Sequence, residues 1–236
     1  MVVKITMGYK YEMHCHTKAS SKCSILHAED IVNLYTSLKY TGIFVTDHFL
    51  NGNTTADYNS SWKNKVDILC RGYQEVKEIG EKFGLQVFFG WEYCYKGTDF
   101  LIYGLNKDWI MKNEHIMNMD CRKFLNYAAY QGALVCQAHP FREDHHIDHI
   151  RLYPSDVECI ETYNSSRNDR CNNLANTLAE SYGLHKIGGS DIHNLNQEII
   201  SGMEFSEKAE SDKDIIDFIR NGKGNILKIS NPFLNK

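Results

Sequence analysis

No stretch of this sequence is apolar over the length of a bilayer, and no basic excess, proline-rich linker or paired-cysteine motif marks it. Each absence removes a class of function. Without a run of some twenty apolar residues a membrane span is not expected. The formal charge of −4 and pI near 6.3 leave no basic footprint for a long nucleic-acid duplex, although a small nucleotide substrate stays open. Eight cysteines occur, at 15, 23, 70, 94, 121, 136, 159 and 171, but never as Cys-x-x-Cys, so neither a zinc ribbon nor a thioredoxin-type pair is indicated. They read as reduced thiols. Only three prolines are present (Pro140, Pro154, Pro232), and no repeat or low-complexity segment divides the chain, so one domain over residues 1–236 is the simplest expectation. The opening Met1-Val2-Val3-Lys4-Ile5-Thr6-Met7-Gly8 lacks the build of a signal peptide. A cytoplasmic protein is expected, and the sequons at Asn53, Asn59 and Asn164 then carry no meaning.

What the chain does have is histidine in a telling place. Tyr9 to Thr17 reads as a strand, in which His14 and His16 would share a face with Cα atoms roughly 6.5 Å apart, close enough for two imidazoles to reach one metal ion. A distant second pair at i and i+2, Asp191 and His193, repeats the geometry. Between them strands and helices alternate. Ile31, Leu34, Tyr35 and Leu38 mark a helix stopped by Gly42; Ile43–Thr46 is a strand delivering Asp47-His48; Val66, Leu69, Cys70, Tyr73 and Val76 predict one long helix ended by Gly84. Leu85–Glu92 and Phe100–Gly104 read as strands, the second preceded by Asp99. A helix through Cys121, Phe124, Leu125 and Ala128 leads to the strand Ala133–Pro140, which ends in His139. Val157–Asn164, a helix through Cys171 to Leu178, and His185–Asp191 follow, then a helix around Ile215, Ile216 and Ile219 and a last strand from Asn225 to Ser230.

Parallel neighbours need a crossover, usually a helix, so this alternation predicts a parallel sheet. The first seven strands, most with an acid or histidine at the C-terminal end, favour a closed barrel with its site on that face. The strand-end set is His14, His16, His48, Glu92, Asp99, His139, Asp191 and His193, too many donors for one tetrahedral ion. Imidazole with carboxylate suits zinc, manganese or iron, with magnesium as a further choice. Two such ions can activate a water and stabilise an in-line displacement at phosphorus, so phosphoester hydrolysis is the first physical expectation. A buried Glu92 would be costly without a cation. The competing explanation for His14 and His16, histidines hydrogen-bonded in a core, is outweighed by the matching strand ends. For His145, His146 and His149 in the charged stretch 141–156 the solvated reading is preferred, as it is for His27, His115 and His185. Cys15, Cys94 and Cys136 read as packing, out of phase with the ligands or beyond them.

The set His14-Cys15-His16-Thr17, Thr46-Asp47-His48, Gly90-Trp91-Glu92, Ala138-His139-Pro140 and Gly189-Ser190-Asp191-Ile192-His193 resembles the PHP (polymerase and histidinol phosphatase) family, in the family's order over residues 9–193. The resemblance implies a distorted (β/α)7 TIM-like barrel with two or three divalent ions on its C-terminal face and metal-dependent phosphoesterase activity. It assigns His14, His16, Glu92 and Asp191 to one ion, Glu92 and His139 to a second, and His48 and His193 to a third. The chain departs from the pattern twice. Lys22 or Cys23 stands where many members place another ligand to the third ion, and Asp99 stands where a histidine is frequent. Arg142 is the candidate phosphate grip, with a surface pairing to Glu143 or Asp144 as its alternative, and Arg167 is a second candidate. Tyr163 and Asn164 end a strand near the substrate, the tyrosine read as structural. The expected chemistry is hydrolysis of small phosphomonoesters or of nucleotide and short oligonucleotide diesters, with Asp191 or His193 assisting proton transfer. The alternatives are a non-catalytic metal-binding module that recognises a phosphorylated partner, and an amidohydrolase-type barrel. The oligomeric state is left open.

Overall fold

The computed structural model describes residues 8–145 and 147–234, so the segment 1–7, His146 and residues 235–236 fall outside it. Among the described residues nine strands form one sheet, in the order β7-β6-β5-β4-β3-β2-β1-β8-β9. These are β1 (Tyr9–Glu12), β2 (Gly42–Val45), β3 (Gln86–Tyr95), β4 (Thr98–Tyr103), β5 (Leu134–Ala138), β6 (Cys159–Asn164), β7 (His185–Gly189), β8 (Ile199–Phe205) and β9 (Asn225–Ser230). The helices are α1 (Ala28–Ser37), α2 (Trp62–Leu69), α3 (Arg71–Lys82), α4 (Lys107–Lys112), α5 (Cys121–Tyr130), α6 (Asp169–Tyr182) and α7 (Asp212–Arg220). Among the described residues no helix is long and apolar enough to cross a membrane.

The expected barrel is present, nearly closed, but its sheet is mixed rather than parallel. β1–β2, β2–β3, β5–β6 and β6–β7 pair in parallel, whereas β4 is antiparallel to both β3 and β5. The cause is local. Lys96 and Gly97 take φ of 50° and 79°, a two-residue turn whose hand matches strand twist and which glycine enters without a Cβ clash. A hairpin joins two strands that the expected parallel sheet would have had to link by a crossover. It also explains Asp99: β4 runs backwards, so its beginning lies at the same rim as the ends of its parallel neighbours.

Two further elements differ from the sequence reading. The predicted long helix is two, α2 and α3, meeting at Cys70. The Ser20 hydroxyl donates to Ile68 O (2.6 Å) and accepts from Gly72 N (3.0 Å), standing where the helical Gly72-to-Ile68 bond would run. β8, which pairs antiparallel with β1 and β9, was not legible, nor were α4 and the 3-10 turn Glu114–Asn118.

Apolar side chains fill the barrel below the rim, among them Tyr11, Met13, Phe44, Leu101, Tyr103 and Ile187. Two outer clusters seat the helices: Ile31, Tyr35 and Val76 on one side, and Trp91, Phe124 and Leu125 on the other. Caps set helix ends as the residue types dictate. Asn168 accepts from Cys171 N at the start of α6, and Ser211 with Asp214 forms a reciprocal capping box on α7.

The ring closes between β1 and β7 without a strand ladder. Asp191 N donates to His14 O (2.8 Å), His16 N to Ile192 O (3.3 Å), and Cys15 bridges Ile192. Beneath this seam the buried Glu12 carboxylate accepts from Met13 N, His14 N, Ser190 N and the Tyr35 hydroxyl at 2.7–2.9 Å, and from the Ser190 hydroxyl. A buried network of this kind leaves several donors stranded when its acceptor is removed. Glu12→Ala should therefore cost about 2–4 kcal/mol in urea unfolding, with Glu12→Gln costing less; a loss below roughly 0.5 kcal/mol would show that the seam is held elsewhere.

Candidate metal centre

The eight strand-end residues converge at one rim of the barrel. His14 and His16 lie just beyond β1, which ends at Glu12 rather than continuing to Thr17, yet both rings still face inward with their Nε2 atoms 3.0 Å apart. His48 follows β2 and bridges Glu92, which lies inside β3. Asp99 opens β4, His139 follows β5, and Asp191 and His193 follow β7. His139 and Asp191 adopt φ of 25° and 50°, a region that costs a side-chain-bearing residue about 1–3 kcal/mol and recurs where function dictates backbone geometry. Gly189 allows the close approach of the last strand: a Cβ there would stand 2.6 Å from both His14 Cβ and Glu161 Oε1.

Glu92 is the centre of the group. Its Oε1 is 3.4 Å from His14 Nε2 and 3.3 Å from His139 Nε2, and its Oε2 is 2.8 Å from His48 Nδ1 and 3.5 Å from His16 Nε2. Asp191 Oδ1 lies 3.5 Å from His14 Nε2 and 3.3 Å from His16 Nε2, and its Oδ2 is 3.8 Å from His139 Nε2. Glu92 is 1% exposed, yet neither of its carboxylate oxygens has a hydrogen bond of acceptable geometry. Buried carboxylates without donors are costly, and lone pairs converging on a space ringed by imidazole nitrogens fit a cation. Five triads of donor atoms lie mutually within 4.8 Å: His14/His16/Glu92, His14/His139/Asp191, Glu92/Asp99/His139, His16/His48/His193 and His48/Glu92/Cys94.

Hydrogen bonds on the far side of the rings set which nitrogen is bare. His193 Nδ1 is 2.8 Å from the Asp191 carbonyl oxygen, which can only accept, so Nδ1 carries the proton and Nε2 presents a lone pair. His14 Nδ1 stands 2.9 Å from Glu161 Oε1, an arrangement that likewise turns Nε2 inward as a donor to metal. Glu161 also accepts from His139 N and the Asn164 amide, each at 2.9 Å. Asp47 does similar work on the other side, accepting from Thr17 N, the Thr17 hydroxyl and the Ser21 hydroxyl, while Ser21 Oγ lies 3.3 Å from His16 Nδ1.

Charge is distributed accordingly. Burial raises the carboxyls of Glu92 and Asp191, but the surrounding histidines prevail and hold both well below the usual carboxylate range. Burial and repulsion from Glu92 raise Asp99. Burial lowers His14, yet Glu161, Asp191 and Glu92 carry it well above its ordinary value, whereas burial and the neighbouring His193 drive His16 down to about 3. Anionic carboxylates beside imidazoles of which some stay neutral make a donor set suited to divalent ions.

Above the centre opens a cavity of about 430 Å³, lined by Cys23, His48, Cys94, Asp99, Arg142, Arg167, Asp191 and His193 among others. Arg142 satisfies both readings of it: Nη2 pairs with Asp144 and Nη1 with Asp99, each at 3.3 Å, while the side chain faces the cavity. Arg167, the weaker candidate from sequence, pairs with Asp191 Oδ2 at 3.0 Å and lines the same space. Lys22 is exposed and Cys23 faces inward in its stead. Cys94 is a correction. It is not packing beyond the site but lies in the cavity, with Sγ 3.4 Å from His48 Nδ1, because β3 runs past Glu92 and carries i+2 onto the same face. Tyr163 lies under Lys228, whose Nζ is 3.7 Å from the ring centroid, and Asn164 reaches Asp191 Oδ2 at 3.3 Å. His145 and His149 are exposed and pair with Asp144 and Asp148.

Glu161 was missed by sequence reasoning, although the signal existed: an acid inside the otherwise apolar start of β6 meets the same burial argument used for Glu92. Its role is testable. Glu161→Gln should leave the fold intact and weaken divalent-metal affinity roughly 10- to 100-fold in chelator competition; unchanged affinity would reduce Glu161 to a packing role.

No protein-family model matches the sequence, and no curated protein is detectably similar to it. Solved structures are. A two-domain protein of Bacteroides vulgatus containing a predicted PHP-like metal-dependent phosphoesterase superposes with a TM-score of 0.68 at 17% identity, over 93% of this chain and 64% of its own length. This chain thus spans about two thirds or slightly less of that protein. A proposed metal-dependent phosphoesterase of Bifidobacterium adolescentis gives 0.58 at 13% identity, covering 89% and 95%. PsfC of Pseudomonas syringae gives 0.57 at 15%, covering 96% and 94%. At these identities the likeness is one of architecture, and the chain has the barrel fold of solved proteins described as metal-dependent phosphoesterases, one of them as PHP-like.

Proposed function

We propose that this chain is a PHP-family phosphoesterase that hydrolyses small phosphoesters with the help of two or three divalent ions. The observation that carries the reading is Glu92, a buried carboxylate with no hydrogen bond of acceptable geometry on either oxygen, surrounded by His14, His16, His48 and His139. His14, His16, Glu92 and Asp191 would hold one ion, Glu92, His139 and Asp99 a second, and His48 with His193 a third. Zinc, manganese or iron suits these donors, magnesium less well. When bound, such ions supply Lewis acidity toward a phosphoryl oxygen and make a water acidic enough to serve as nucleophile.

The remaining work falls to the protein. Arg142 and Arg167 flank the cavity, each permanently charged and each with a buried Nε that has no partner, and they are suited to grip phosphoryl oxygens. Asp99 and Asp191 orient the two guanidinium groups from below. Asp191 stays anionic as ligand and anchor, which makes it unsuited to be the acid. Where the His48 and His193 site holds no ion, His193, 23% exposed at its side chain and held toward the cavity by its Nδ1 bond, is the better-placed proton carrier for the leaving oxygen. The cavity suits a phosphomonoester or a short diester better than a long duplex, and the net charge of −4 does not favour a duplex.

The test is turnover of an aryl phosphomonoester and an aryl phosphodiester by metal-loaded protein. Activity should vanish with chelator and return with metal, and Arg142→Ala should lower kcat/KM roughly 10- to 100-fold without recovery in Arg142→Lys. Metal-loaded protein inert on both substrates would overturn the enzymatic reading in favour of a non-catalytic module that recognises a phosphorylated ligand.

A further inference from the structure

Of the eight cysteines, six are buried in the core, and the two that are not, Cys23 and Cys94, both line the cavity on either side of His48. This is an unusual place for a packing thiol, since free cysteine behaves as a small apolar group and is among the residues most often buried. Cys94 leaves β3 two residues after Glu92 on the same face, with Sγ 3.4 Å from His48 Nδ1, and its sulfur, a His48 nitrogen and a Glu92 oxygen lie mutually within 4.8 Å. Cys23, half-buried in the loop after β1, lines the same cavity beside His48 and His193. The carboxylate in the Cys94 group is the buried Glu92.

We infer that the His48 end of the centre is a mixed thiolate, imidazole and carboxylate site, with Cys94 and Cys23 as metal ligands, built for a borderline-soft divalent ion such as zinc. Thiolate sulfur binds zinc or cobalt strongly and magnesium or calcium hardly at all, so this end discriminates where the nitrogen and oxygen donors around His14 and His139 do not. The resemblance read from sequence left this position short of a ligand; the structure supplies it with sulfur. The inference rests on the metal-centre reading of the site, and its test separates the two.

Chelator-stripped protein is titrated with cobalt(II) as wild type, Cys23→Ser, Cys94→Ser and the double variant. The expected result is a thiolate-to-cobalt charge-transfer band in the wild type, weaker in each single variant and absent from the double, which still binds cobalt but holds one ion fewer per chain. In parallel, zinc should protect Cys23 and Cys94 of the wild type from alkylation, mapped by mass spectrometry, whereas magnesium should not. Cobalt bound to wild type without a charge-transfer band, or equal alkylation with and without zinc, would overturn the thiolate site and leave the phosphoesterase reading standing. Failure of the wild type to bind cobalt at all would overturn both. Because wild-type spectra and alkylation decide the matter alone, misfolding of a serine variant does not shield the proposal.

Discussion

A carboxylate taken out of water with imidazoles for its only company is the constraint on which the rest of this structure depends. Glu92 sits 1% exposed, its oxygens without a well-aligned hydrogen bond, in the middle of four imidazoles. Isolated, such a group would be several kcal/mol out of balance or would take up a proton. The surroundings instead keep it anionic: His48 and His14 hold it well below its ordinary range against the effect of burial. Several rings of the site are in turn held from behind, His14 by Glu161, His16 by Ser21 and Asp47, His193 by the Asp191 carbonyl. Outer groups of this kind give the rings one orientation, which a donor cluster able to hold metal needs more than it needs any single donor.

The same segments also close the barrel. Residues 14–16 and 191–192 exchange the backbone hydrogen bonds of the β1–β7 seam and carry His14, His16 and Asp191 into the site. Stability and chemistry therefore share one piece of backbone. The left-handed φ of Asp191 is sustained because the seam over-determines it, with Asp191 N bonded to His14 O and Glu12 gathering donors from both sides. Below the rim, the apolar filling around Tyr11, Phe44 and Tyr103 leaves polar groups no alternative partner, so the boundary between packed core and functional face is sharp.

Elements with local causes were legible from sequence. His14, His48, His139 and Asp191 follow short β-type runs, and burial of one face of such a run sets where its last residue emerges. Less local features were not. The Lys96-Gly97 turn reverses β4, and that reversal brings Asp99 to the rim from the start of a strand rather than the end. Ser20 splits one expected helix in two by entering the hydrogen-bond ladder from a segment about fifty positions away in the chain. β8 went unseen because its Gly-containing run gains its partners only through β1 and β9.

By itself the sequence determined the alternation of strands and helices, the barrel class and the residues that could hold metal, because those follow from periodicity and from the chemistry of imidazole and carboxylate. Only the tertiary structure decided which of them meet, and with what behind them. Glu161 and Asp47 became supports, Cys94 moved from packing to the cavity wall, Cys23 replaced Lys22, and Asp191 gained Arg167 as its partner. The physical reason is that a donor's usefulness depends on distances of a few ångströms and on what else competes for its lone pairs. Those are properties of segments far apart in sequence, and they acquire values only when the ring closes.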